Sequence, residues 1–251
     1  MIESNKKSLL GKYRDLEKKT MTPEKKDECK DDWFSFYVGR KLSYWMTIPF
    51  LHGNITPNQI TFISIFILVI GFFINCFATT KALMIVAWFC YFLWSLLDAV
   101  DGNVARYKKQ FSKLGDIYDT MGGYAAYGLM YMGFGIGACF CSGKLNIIPA
   151  EYYIIIGAVS SISCLFPRLV YQKIRAEFAN NNRAEAIRWN RSPIRILERN
   201  ISSITGGTMV LSILAIIFHY LDLFTIGYAV LNLLKMIISL YKILQEEGRE
   251  A

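Results

Sequence analysis

Residues 60–78, Ile60-Thr-Phe-Ile-Ser-Ile-Phe-Ile-Leu-Val-Ile-Gly-Phe-Phe-Ile-Asn-Cys-Phe-Ala78, carry no charge. At about 1.5 Å per residue a helix of this length crosses roughly 30 Å of hydrocarbon. Similar runs follow at about 82–97, 120–142, 152–166, 201–221 and 223–243. The chain is 53% hydrophobic with 17 Phe and 15 Tyr, only slightly above an ordinary soluble domain. The segregation of apolar residues into runs therefore decides the class. The sequence predicts an all-α integral membrane bundle of six transmembrane helices, preceded by an N-terminal juxtamembrane amphipathic helix.

The chain divides into a cytosolic arm and interfacial helix at 1–54, a six-span domain at 55–245 and a cytosolic tail at 246–251. Residues 1–31 are strongly charged and read as a solvated, partly helical or mobile arm. From Trp33 to Leu51, aromatics mix with Arg40 and Lys41, a composition that suits a helix in the headgroup layer or a cap packed on the bundle. Thr56 is placed to N-cap the first span with Pro57 in its first turn, and Pro149 sits at the entry to the fourth. Some 50 polar residues precede the first span, so a cleaved signal peptide is not the natural reading.

The formal net charge is +8, but the charge segregates by loop, which points away from nucleic acid. The inner loops 1–57, 100–115 and 168–200 and the tail after Tyr241 hold nearly all the Lys and Arg, whereas the outer turns offer Lys81 and Lys144. By the positive-inside rule both termini face the cytosol. The six Cys show no CxxC spacing and read as small apolar residues of the spans, with no support for a zinc site. His52 and His219 stand apart and read as structural.

The chemistry concentrates where the second span ends and the third begins. Asp98 and Asp101 are three residues apart, so on a helix they point to one side, about 60° and 4.5 Å apart. Gly102, Ala105 and Arg106 follow, then Gly115, Asp116 and Asp119. Ionisable side chains at membrane depth are costly and are rarely kept without a partner or a task. Spans joined by a short loop pack side by side, which predicts that three or four carboxylates converge. Carboxylates without His or Cys suit hard cations such as Mg²⁺, Mn²⁺ or Ca²⁺, and Arg106 offers a fork for phosphate. The competing structural role for each acid is an ion pair: Asp98 or Asp101 with Arg106, and Asp116 with Lys113. The loop 168–200 holds eight basic residues, most of which read as attraction to anionic headgroups; Arg168, Lys173 and Arg175 are the candidates to bind a phosphate-bearing acceptor.

The stretch resembles the signature of the CDP-alcohol phosphotransferases, D-x-x-D-G-x-x-A-R-x8-G-x3-D-x3-D. Asp98, Asp101, Gly102, Ala105, Arg106, Gly115 and Asp119 match it at the required spacings. Pro57-Asn58 resembles the dipeptide that opens the family's first span. The resemblance implies a membrane enzyme in which an acceptor hydroxyl attacks a CDP-linked donor, such as CDP-diacylglycerol, and releases CMP. It implies Mg²⁺ or Mn²⁺ on Asp98, Asp101 and Asp119, nucleotide contacts from Asp98, Gly102, Ala105, Arg106, Gly115 and Asn58, lipid and CDP-linked partners, and a homodimer. The family's last Asp, its expected general base, falls on Gly123. Asp116, one turn before Asp119 on roughly the same face, is the candidate to replace part of the lost charge, although position 123 lies about 6 Å deeper than Asp119. An alternative is a catalytically impaired member that binds a CDP-lipid or partner protein. A cation-coupled transporter is disfavoured, because the acids lie at a membrane face rather than beside a broken midplane helix.

Overall fold

The structure, a computed structural model, describes residues 8–141, 143, 145, 147–177 and 193–247. Helices α1 (Leu9–Thr20) and α2 (Pro23–Cys29) lead into a π-helical turn at Ser35–Gly39 that continues as α3 (Arg40–His52). The long helices α4 (Pro57–Cys76), α5 (Lys81–Lys108), α6 (Lys113–Phe140) and α7 (Tyr152–Glu177) follow, then α8 (Pro193–Ser202), α9 (Gly207–Phe218) and α10 (Leu221–Glu247). No strand occurs among the described residues. The all-α membrane architecture expected from the sequence is therefore present.

Local signals place the helix ends. Thr56 and Gln59 form a reciprocal capping box, with Gln59 N donating to Thr56 Oγ1 at 3.4 Å and Thr56 N to Gln59 Oε1 at 2.9 Å. Ser112 caps α6 by accepting from Gly115 N at 2.9 Å. Lys109 adopts φ 54°, which ends α5 and turns the chain toward α6. Such caps satisfy orphan N–H groups at helix starts, which matters most near hydrocarbon, where water is absent.

Among the described residues, α4, α5, α7 and α10 are long and apolar enough to cross a membrane, and α8 with α9 forms a fifth if the pair, bent by 49°, is one span. The six spans read from the sequence are thus not all reached. Helix α6 accounts for the difference. It is uncharged over 120–140, but Gly and Tyr dilute its hydropathy, and its second half is buried inside the bundle.

Packing in lipid depends on close approach rather than on a hydrophobic drive between helices. Helix α4 lies against both α5 and α6, α6 against α7, and α7 against α10. At the α6–α7 crossing Gly135 faces Gly157: a Cβ on Gly135 would stand 2.5 Å from Tyr153 O and 2.9 Å from the Gly157 Cα. The core beside it gathers Tyr91, Trp94, Met130, Phe134, Tyr153 and Phe224. Several polar groups inside the bundle are paired, as when Asn232 Nδ2 donates to Ser160 Oγ at 2.9 Å. Lys235 of α10 meets Glu198 at 2.5 Å and Ser202 Oγ at 2.7 Å.

The N-terminal segment departs from the expectation of a solvated arm. From α1 onward it is docked: Leu16 is fully buried, Tyr107 donates to Asp15 at 2.9 Å, and the Tyr13 ring meets those of Tyr44 and Trp45 at 5.5 and 5.2 Å. The few apolar positions in this charged sequence are spaced to line one helix face. Helix α3 buries Ser43, Tyr44, Thr47 and Ile48 and packs on α5, while Leu42 and Trp45 remain exposed. One face caps the bundle and another is left apolar.

The Gly135–Gly157 contact yields a stability prediction. Gly135→Ala should destabilise the protein by about 1–3 kcal/mol through overpacking against backbone. Gly227→Ala, where an added Cβ meets nothing within 4 Å, should leave the detergent melting midpoint unchanged or raised. Equal midpoints for the two variants would refute the crossing.

Candidate active site

The motif end of α5 supplies two acids in different surroundings. Asp101 is buried, and Thr61 of α4 donates its hydroxyl to Asp101 Oδ2 at 2.5 Å. Asp98, one turn earlier, is half-buried. It lies toward α6, since a Cβ on Gly122 would come within 3.9 Å of Asp98 Oδ1. The three-residue spacing therefore does set both on the side of α5 that faces its neighbours.

Arg106 is positioned through a relay that the motif does not contain. Fully buried Asn103 donates to Ser43 Oγ and Thr47 Oγ1 of α3, both at 3.3 Å, and accepts from Arg106 Nη2 at 3.1 Å. The guanidinium folds back over Gly102, where an added Cβ would stand 3.0 Å from Nη2 and 3.1 Å from Nη1. Glycine at 102 thus makes room for the arginine of its own helix. Arg106 Nε is buried without a hydrogen-bond partner, and no ion pair joins Arg106 to Asp98 or Asp101 among the described residues.

These residues line a cleft of about 260 Å³. Asp98, Asp101, Gly102 and Arg106 come from α5 and Asp119 from α6, joined by Ser95 and Ala99. Lys25, Ser35, Gly39, Arg40 and Thr205 complete the wall. They arrive from the N-terminal segment and from the bend between α8 and α9. No spacing in the sequence links them to the motif; Arg40 stood out only as a basic residue among aromatics. A larger hollow of about 340 Å³, between Ile70, Phe73, Ile74, Phe77 and Leu83, is apolar and offers nothing to a phosphate.

Of the other sequence candidates, those with described side chains are not part of its wall. Asn58 approaches the start of α6, its Oδ1 being 3.1 Å from where a Gly115 Cβ would sit. Ala105, Gly115 and Asp116 are not among the lining residues, and Asp116 is exposed on the first turn of α6. Arg168 turns back onto α6 and its own helix: its guanidinium stacks 3.8 Å from the Tyr127 ring and reaches Cys164 O and, at 3.2 Å, Cys164 Sγ. Lys173 is exposed on α7, and the side chain of Arg175 lies outside the described residues.

Convergence of three or four carboxylates on one point does not occur. Among the described residues no group of three or more His, Cys, Asp or Glu side chains is close enough to hold a metal ion. The reason is topological. Although α5 and α6 are joined by a short loop, each packs more extensively on α4 than on the other, and the cleft opens beside their motif ends. The donor chemistry still suits a hard cation, because Mg²⁺ commonly uses one or two carboxylates and completes its shell with water and substrate phosphate.

At Gly123 an added Cβ meets no atom within 4 Å. The position has room for a larger side chain, so packing does not account for its glycine.

No curated protein matches the chain. The sequence profile of the CDP-alcohol phosphatidyltransferases, whose reaction moves a phosphate group from a CDP-alcohol to an acceptor, matches residues 54–241. With that match over most of its length, and with the acids and arginine of the motif lining one cleft, the chain belongs to the CDP-alcohol phosphatidyltransferase family.

Proposed function

We propose that this protein transfers a substituted phosphate from a CDP-linked donor, CDP-diacylglycerol or another CDP-alcohol, to an acceptor hydroxyl in phospholipid or related phosphodiester synthesis. The observation that carries the reading is the presence of Asp98, Asp101, Asp119 and Arg106 around one cleft. In the reaction the acceptor oxygen bonds to the β-phosphorus, the bond from that phosphorus to the CMP oxygen breaks, CMP leaves and the hydroxyl proton passes to a base. Asp119 is the acid of α6 that borders the cleft, and with Gly123 in place of the deeper acid we assign it the proton. Asp116, one turn away, adds negative charge beside it.

Mg²⁺ or Mn²⁺ would be held by Asp98 and Asp101, with water and substrate phosphate completing the shell; Asp119 and Asp116, expected from the sequence as further ligands, would add negative charge nearby. Such an ion neutralises the diphosphate when bound. Arg106 would fork onto phosphate oxygens, held in place by Asn103. Gly102, Ala105, Gly115 and Asn58, together with Asp98, would border the nucleotide, while Arg168, Lys173 and Arg175 would serve a phosphorylated acceptor. The distribution of Lys and Arg supports a site facing the cytosol in a multi-pass membrane protein. As the family resemblance implies, the working unit is a homodimer.

Gly123 favours a second reading, a member that binds the CDP-linked lipid or a partner protein without turnover. Purified protein in lipid, given Mg²⁺ or Mn²⁺, CDP-linked donors and candidate acceptors, separates the two. Acceptor-dependent CMP release supports transfer; CDP-ligand binding with no CMP release from any pair would establish the second reading.

Within the first reading, Asp98→Asn should abolish CMP release, and Asp119→Asn should lower it by roughly 10²–10⁴-fold, the range of general-base removal. Gly123→Asp should fold normally, given the open space there, and raise the rate; an unchanged or lower rate would count against position 123 being a vacant base site. Asp116→Asn should weaken the activity or its metal dependence, whereas wild-type behaviour would reduce Asp116 to a surface acid.

A further inference from the structure

The lining of the cleft carries both signs of charge, with the acids Asp98, Asp101 and Asp119 beside the cations Arg106, Arg40 and Lys25. Arg40 and Lys25 belong to the N-terminal segment, ahead of residues 54–241 that define the family match. The position of Arg40 is built rather than incidental. Asp32, buried, accepts from Ser203 Oγ and from Ser35 N, the latter at 3.3 Å. Asn200 accepts from Trp33 N at 2.8 Å and donates to Asp31 O at 2.7 Å. These bonds fasten the segment between α2 and α3 to the α8–α9 bend and bring Ser35, Gly39, Arg40 and Thr205 to the cleft.

The acids of the cleft compensate its cations only in part, since Arg106 lies within Coulombic reach of Asp101 yet forms no ion pair with it among the described residues. Arg40 and Arg106 lie within Coulombic reach of each other, and like charges held together cost free energy unless an opposite charge intervenes. Arg40 Nη2 donates to Cys29 Sγ at 3.3 Å, and thiol sulfur is a weak acceptor. Arg106 Nε is buried and unpaired, an uncompensated loss of hydration. Guanidinium forks match phosphate oxygens in charge and geometry, and the hydroxyls of Ser35 and Thr205 in the same lining can donate to them as well.

We propose that Lys25 and Arg40 form, with Arg106, a phosphate-binding wall of the cleft, so that the N-terminal segment contributes directly to substrate binding. This rests on the reading of the cleft as a phosphotransfer site. The phosphate bound is either the β-phosphate of the CDP-linked donor or a phosphate monoester on the acceptor.

The test uses full-length protein in lipid nanodiscs with Mg²⁺ and titrations of CMP, CDP and inorganic phosphate. Arg40→Gln and Lys25→Gln are compared with wild type and with Arg40→Lys, which keeps the charge, and melting midpoints confirm folding. A roughly tenfold loss of CDP affinity with CMP affinity unchanged, the loss of about one charge-assisted hydrogen bond, assigns the wall to the donor. Unchanged CDP affinity with loss of phosphate binding to CDP-loaded protein assigns it to the acceptor. Partial recovery in Arg40→Lys is expected in both cases. Wild-type affinities for both probes in folded Arg40→Gln and Lys25→Gln would overturn the proposal. If Arg40→Gln does not fold, the same comparisons in Lys25→Gln decide. Loss of phosphate binding in a protein that never bound CDP would keep the anion site while sinking the phosphotransfer reading, and wild type that binds neither probe would sink both.

Discussion

A carboxylate buried at the end of a membrane helix has to be held by something, and here Asp101 is held by the Thr61 hydroxyl of α4. That bond sets the rotation of α5 against α4 at the point where the motif begins. An unpaired ion in such a place would be expensive, so the pairing of α4 with α5 and the presence of the acid are coupled. Asp98, one turn earlier, is thereby turned toward Gly122 of α6. Helices α5 and α6 each pack more extensively on α4 than on each other, and the cleft opens beside their motif ends.

A second polar connection fixes the cation of the site. Ser43 and Thr47 of α3 hold Asn103, and Asn103 holds Arg106. Every group in this relay is neutral apart from the guanidinium, so the arginine is oriented while its charge stays available to a ligand. An acid in place of Asn103 would hold Arg106 more tightly and cancel the charge. Gly102 completes the device by leaving space for the guanidinium to fold back. The N-terminal helices are consequently part of the site's construction, although their sequence resembles a charged arm.

Much was legible from residue order because the relevant physics is local or periodic. Uncharged runs long enough to span hydrocarbon marked α4, α5, α7 and α10. Thr56, Pro57 and Gln59 announced the start of α4, and a capping box needs only neighbours in sequence. The side-by-side placement of Asp98 and Asp101 followed from helical pitch. Helix α6 was less legible: its Gly and Tyr residues serve close packing with α4 and α7, and this function lowers the hydropathy by which a span is recognised.

The sequence by itself determined the class of fold, the start of α4 and the family, because each rests on composition, spacing or a short motif. Only the tertiary structure decided that the acids border an open cleft without three of them meeting at one point, since helix–helix packing, not loop length, sets their separation. It also decided that Arg168 is directed to Tyr127 and Cys164, and that Lys25, Arg40 and Thr205 join the cleft. Those residues come from segments far apart in the chain, held by side-chain bonds such as Asn200 to Trp33, and no periodicity along a single helix encodes such a meeting.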